Sequence, residues 1–181
     1  MPDEVIGNTM PAEEVAPDSW LAQQVYAKFG LAMYAGQALE YVIATLLEWS
    51  GFTSGQYLSH EEWERADINF LRKTLGALRK ELLAQPIDLA HLEGDLTRAV
   101  ELRNFLAHHY FRERIDALTT QEGCKNMLAE LEQAVNLLNG VVQKLRSITR
   151  NMVNEFGGPD IIPVATENKS QGFGEPLPGL S

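Results

Sequence analysis

Arg103, Asn104, His108, His109 and Tyr110 fall within eight consecutive residues. One short stretch thus delivers a guanidinium, an amide, two imidazoles and a phenol. A histidine takes or gives a proton near neutral pH. An arginine clamps a phosphate and stabilises the charge that develops as it reacts. Asn104 can hold the imidazole or the substrate, and Tyr110 can stack a base or donate a hydrogen bond. Together the set suits cleavage of a phosphodiester. The competing reading is a polar network in the core, with Arg103 paired to Glu40 or Glu101 and His108 bonded to a carbonyl. Polar groups placed there cost free energy unless each has a partner.

Spacing refines this. At about 100° per residue, Asn104 and His108 lie one turn apart on one helical face, while Arg103 and Tyr110 share an adjacent stripe. Arg103 and His108 sit about 140° apart around the axis. Their tips meet only if Arg103 curls across the face, the helix distorts, or a second chain contributes. His109 satisfies the spacing from Arg103 with one more intervening residue, so either imidazole can serve. Arg98, Arg112 and Arg114 surround the motif with positive charge suited to binding phosphates.

Other chemistries lack their residues. A di-iron bundle needs inward Glu-x-x-His pairs, and none occurs. One cysteine and four scattered histidines do not make a typical zinc site. His60 beside Glu61 and Glu62 has no second histidine four residues away, so it reads as a helix end. There is no Gly-x-Gly-x-x-Gly and no Gly-Lys-Ser/Thr phosphate loop. No cofactor is implied.

The chain has 181 residues and a formal net charge of −10. Residues 1–18 hold five acids and no base, and residues 155–181 hold four acids and one base. Residues 19–154 therefore carry only −2, which tolerates a phosphate ligand without demanding one. The single Cys124 rules out a disulfide framework and suits a reducing compartment. The start has no basic region followed by an apolar one, so no signal peptide is expected. The most apolar run, residues 30–47, carries Gln37 and Glu40 near its middle. A charge at mid-bilayer is expensive, so a buried helix is preferred to a membrane span, and the cytoplasm is the expected location.

These residues need elements to hold them. Residues 1–18 read as an acidic flexible arm, 19–156 as a helical bundle, and 157–181 as a flexible tail rich in Gly and Pro. Asp18 or Ser19 caps a first helix from Trp20 to about Glu48 or Trp49, with Gly51 as its left-handed stop. Tyr26, Tyr34 and Tyr41 form a stripe read as core. Ser59 opens a second helix that carries Trp63 through Leu82 and ends at Pro86. Asp88 caps a third helix, which bears the motif. Thr119 and Glu122 fit a capping box for the fourth. In that helix Leu128, Leu131, Val135, Leu138, Val142, Leu145, Thr149, Met152 and Phe156 step by three and four, and Asn139-Gly140 marks a possible bend. The expected fold is all-α, an antiparallel up-and-down four-helix bundle.

Arg103-Asn104-Phe-Leu-Ala-His108 resembles the signature of the HEPN superfamily (higher eukaryotes and prokaryotes nucleotide-binding). Its members are compact helical bundles that carry Arg, a polar residue and, after a short gap, His. His108-His109-Tyr110 is similar to the His-x-Tyr extension of HEPN toxins that pair with nucleotidyltransferase antitoxins, in which the tyrosine is adenylylated. The resemblance implies a metal-independent endoribonuclease with Arg103, Asn104, His108 and Tyr110 as its site. The RNA's own 2′-hydroxyl attacks, leaving a 2′,3′-cyclic phosphate. It also implies a homodimer with both motifs facing one cleft, in a toxin or phage-defence role. Some HEPN proteins bind nucleotide or protein without cutting RNA, and a non-catalytic dimer is the alternative.

Overall fold

The computed structural model describes residues 19–56 and 59–156. The acidic arm and the tail, like the expected stop at Gly157-Gly158-Pro159, lie outside the described residues. Among the described residues there is no strand, and the protein is all-α. Six helices are formed: α1 (Ser19–Thr53), α2 (His60–Leu71), α3 (Leu75–Leu83), α4 (Glu93–His108), α5 (Tyr110–Arg114) and α6 (Gln121–Glu155).

Side-chain pairs fix the directions of the long elements. Phe29 meets Tyr110 and Phe111, while Arg103 reaches Glu40. So α1 and α4 run antiparallel. Tyr110 bonds Met127 and Lys144 bonds Asp95, so α4 and α6 also run antiparallel. The two 35-residue helices α1 and α6 therefore lie parallel, and Lys28 of α1 pairs with Glu132 of α6. Val25, Ala32, Leu39, Ile43 and Leu46 of α1 pack with Leu131, Leu138, Val142 and Leu145 of α6 as the centre of the core. This order differs from four alternating rods, because α4, the motif helix, is antiparallel to α1 where that order makes it parallel.

Local chemistry explains the other departures from expectation. The first helix runs past Gly51, which is buried, to Thr53, and Gly55 with φ +73 supplies the left-handed residue. The single second helix is two. Arg72 ends α2, and the Thr74 hydroxyl accepts from Ala77 N–H to start α3, so Thr74 breaks the run that its apolar spacing suggested was continuous. Ser59 does cap α2, accepting from Glu62 N–H at 3.3 Å. Asp88 accepts from Ala90 N–H at 3.4 Å, but a 3₁₀ turn over Ala90–Leu92 precedes α4. The cap of α6 is Thr120, not Thr119. Its hydroxyl accepts from Gly123 N–H at 3.0 Å, one residue beyond Glu122, so no Thr-Glu capping box forms.

The α6 seam is buried from Leu131 to Thr149, loosens at Leu128 and Met152, and ends with Phe156 exposed. The helix is unbroken through Asn139-Gly140. The tyrosine stripe is not core: Tyr26, Tyr34 and Tyr41 are each more than half exposed. Periodicity identified the stripe, but α6 and α4 cover the other side of α1. By length and composition alone Trp20–Thr53 could cross a membrane, and half of its most apolar window is buried within the protein.

Candidate functional site

The helix that carries the motif breaks inside it. α4 ends at His108, and His109 leaves helical geometry with φ −128 and ψ −29 before α5 begins at Tyr110. Consequently the residues after His108 do not continue the faces of those before it. Leu106 and Tyr110 turn into the core, whereas Asn104, Ala107, His108 and His109 face solvent. The motif is therefore not a sealed core network.

Arg103 lies half-buried against α1. A Cβ at Gly36 would come within 2.8 Å of the Arg103 Cγ, so the missing side chain makes room for the arginine stem. The guanidinium pairs with Glu40, one turn further along α1, and donates weakly to Asn104 Oδ1 at 3.4 Å. The paired Glu40 oxygen is buried without an aligned hydrogen bond, so it holds Arg103 by charge. The side chains of both keep about a quarter to a third of their surface exposed.

The two histidines differ. His109 Nδ1 lies 2.6 Å from Arg112 Nη2. Arginine can only donate, so the Nδ1 lone pair is engaged and the ring proton sits on Nε2. His108 makes no hydrogen bond and no ion pair among the described residues, and its ring stands edge-on to that of His109 at 6.3 Å between centroids. Its imidazole is the one free to exchange a proton with a ligand.

Tyr110 faces away from both. Its hydroxyl donates to Met127 carbonyl at 3.2 Å, and the residue is 2 % exposed. Burial, reinforced by the nearby Glu130 carboxylate, pushes the phenol up to about 12. So held, it neither stacks a base nor meets a modifying enzyme, contrary to the role carried over from the sequence. Arg114 donates from Nε to Glu130 at 3.0 Å and lies over the Phe105 ring. It roofs a cleft of about 370 Å³ between α4 and α6, lined by Leu102, Phe105, Tyr110, Gln133 and Leu137. Arg98 pairs with Asp95 at 2.5 Å, about 140° around α4 from Arg103. Of the three flanking arginines, only Arg112 stands with the histidines.

Of the two acids the sequence offered Arg103, Glu40 and Glu101, the guanidinium pairs with Glu40. Glu130 and the Met127 carbonyl gave no sequence signal, because their partners lie across a helix break. Among the described residues, no cluster of three or more His, Cys, Asp or Glu side chains is placed to hold a metal ion. The chain matches no protein-family model, no curated protein and no solved structure.

Proposed function

We propose that this protein is an endoribonuclease of HEPN type, acting without a metal in a toxin or phage-defence role. The observation that supports the reading is a positioned cation and an unoccupied imidazole on one helix: Glu40 and Gly36 hold Arg103, and His108 stands free in solvent. In the reaction the RNA 2′-hydroxyl oxygen bonds to phosphorus and the bond to the 5′ oxygen breaks. His108 takes the proton from the attacking hydroxyl while water gives one to the leaving 5′ oxygen, or His108 gives that proton while water takes the first. Arg103 neutralises charge on the phosphoryl oxygens, and Asn104 orients the substrate. Arg112 extends the phosphate contact, while His109, bound to it, serves as support. A homodimer with facing motifs, a HEPN-like bundle, a nucleotidyltransferase-type antitoxin and a cytoplasmic setting belong to the same proposal. Tyr110 has no part in the chemistry in this conformation.

The Glu40 contact also favours a second reading. A guanidinium already matched by a carboxylate is less available to a phosphate, as in a non-catalytic dimer that binds nucleotide or protein. The two separate on incubation of the purified chain with structured and unstructured RNA in excess chelator, with an end-group assay for the cyclic phosphate. Cleavage is expected from the wild type, with a loss of about 10²–10⁴-fold in His108→Ala and a comparable loss in Arg103→Ala. Circular dichroism should show both variants folded. Cleavage that survives both changes, or a wild type that cuts nothing, overturns the ribonuclease reading.

A further inference from the structure

Trp20, Tyr26, Leu31, Tyr34 and Tyr41 of α1 are 59, 53, 45, 61 and 54 % exposed. At 100° per residue they share one side of the helix, and at 1.5 Å per residue they extend over about 30 Å. Between them lie Gln23, Gln24, Gln37, Ala27 and Gly30, also exposed. Between residues 20 and 41 no charged residue is on this side, and Glu48, further along it, is buried. The three charges of α1 are all directed elsewhere: Lys28 to Glu132 of α6, Glu40 to Arg103 of α4, and Glu48 into the protein. Isolated exposed apolar residues are ordinary, but a continuous stripe of this length marks a contact surface.

Charge and area choose the occupant. An RNA strand requires Lys or Arg against its phosphates, and the stripe has none. A membrane-surface helix carries Lys or Arg along its polar face, and this chain bears −10. Two copies of such an acidic chain approach best where neither has charge. An aromatic side chain buries about 150–250 Å², so the four aromatics at their observed exposure offer about 340–570 Å². Leu31 and the intervening small and amide residues bring this towards the roughly 800 Å² per partner of a standard interface. A Cβ at Gly30 would meet nothing within 4 Å, so with Ala27 it leaves room for a second helix to cross closely.

We infer that the outer side of α1 is the surface on which two copies of this chain pair, antiparallel and two-fold symmetric, crossing near Gly30. This gives the proposed dimer a surface. It sets the first turns of one α1 beside residues 37–41 of the other, next to the Glu40 that holds Arg103. The pairing itself stands on the stripe alone, whether or not RNA is cut.

Sedimentation equilibrium of the full chain across concentration tests it, with Gly30→Arg, Gly30→Glu and Tyr34→Glu. Both sites are open, so the variants should keep wild-type helicity and cooperative melting. The wild type is expected at twice the chain mass. Each variant should raise the dissociation constant by at least about a hundredfold: the two Gly30 variants set like charges face to face across the axis, and Tyr34→Glu buries an unpaired carboxylate in the seam. Mixing Gly30→Arg with Gly30→Glu should restore the double mass. A wild type at single-chain mass throughout overturns the inference, as does a dimer indifferent to all three changes. So does a single-chain species that instead binds RNA or neutral lipid vesicles through Tyr34. RNA cleavage is read separately: a monomer that still cuts removes only this inference, and a dimer that never cuts removes only the ribonuclease reading.

Discussion

The Tyr110 hydroxyl donates to a carbonyl of α6 from a site sealed by Phe29, Phe105 and Phe111. Removing it in Tyr110→Phe should cost about 1 kcal/mol, read as a fall of about 2–4 °C in Tm for a chain of this size, while leaving RNA cleavage intact. The alkaline limb gives a sharper reading. Folding raises this phenol from 10 to about 12, so it favours the protonated form. Its contribution is full below pH 10 and is lost as pH climbs through 12. Denaturant unfolding between pH 9 and 12 should show stability falling in the wild type and a shallower fall in Tyr110→Phe. Equal slopes would mean that another group sets this limb. At this scale the sequence was legible for the partner of Arg103, since Glu40 is one of the two acids it offered. It was not legible for Tyr110, because one residue, His109, leaves helical geometry and turns the phenol from an outer stripe to the core.

Two glycines of α6 show how far element ends depend on what surrounds them. At Gly140 an added Cβ meets nothing within 4 Å, but at Gly123 it would lie 2.0 Å from the Ala117 carbonyl oxygen. Gly140→Ala should therefore gain about 1 kcal/mol from helix propensity alone. Gly123→Ala should lose stability, since the 3₁₀ turn at Ala117–Thr119 must move and the Thr120 cap opens with it. Thermal melts of the two single variants check this, and a stabilised Gly123→Ala would refute the tight turn. The same contrast bears on what the sequence could disclose. Helix identity followed from apolar spacing in α1 and α6, because long helices repeat their pattern many times. Their ends did not, since Thr119 and Thr120 are equivalent as letters, and only the neighbouring carbonyl selects the second. Thr74 hid in the same way inside an apolar rhythm that continued across it.

Three long helices are joined by ion pairs at every seam: Lys28–Glu132 between α1 and α6, Arg103–Glu40 between α1 and α4, and Lys144–Asp95 between α4 and α6. Apolar spacing and caps forecast an all-helical chain but not this arrangement, because the order of helices around a core depends on which faces meet. The heptad seam of α6 shows that it packs lengthwise without naming α1 as its parallel neighbour. Asp95 is where this arrangement meets pH. The hydrogen bond from Lys144, then that from Arg98, holds its carboxyl below the ordinary 3.8. A lowered carboxylate supports the fold above its unfolded value and loses that support as pH falls through the lower, folded one. The acid limb of the stability curve, below pH 4, should then include the release of α4 from α6. Asp95→Asn should flatten it, and Lys144→Ala should flatten it in part, since Arg98 remains at 2.5 Å. Both pairs are exposed to solvent, so added salt should weaken the effect in the wild type and do little in Asp95→Asn. Urea unfolding from pH 2.5 to 7 at low and high salt measures all three. An acid limb unchanged in Asp95→Asn would place the acid-sensitive seam elsewhere.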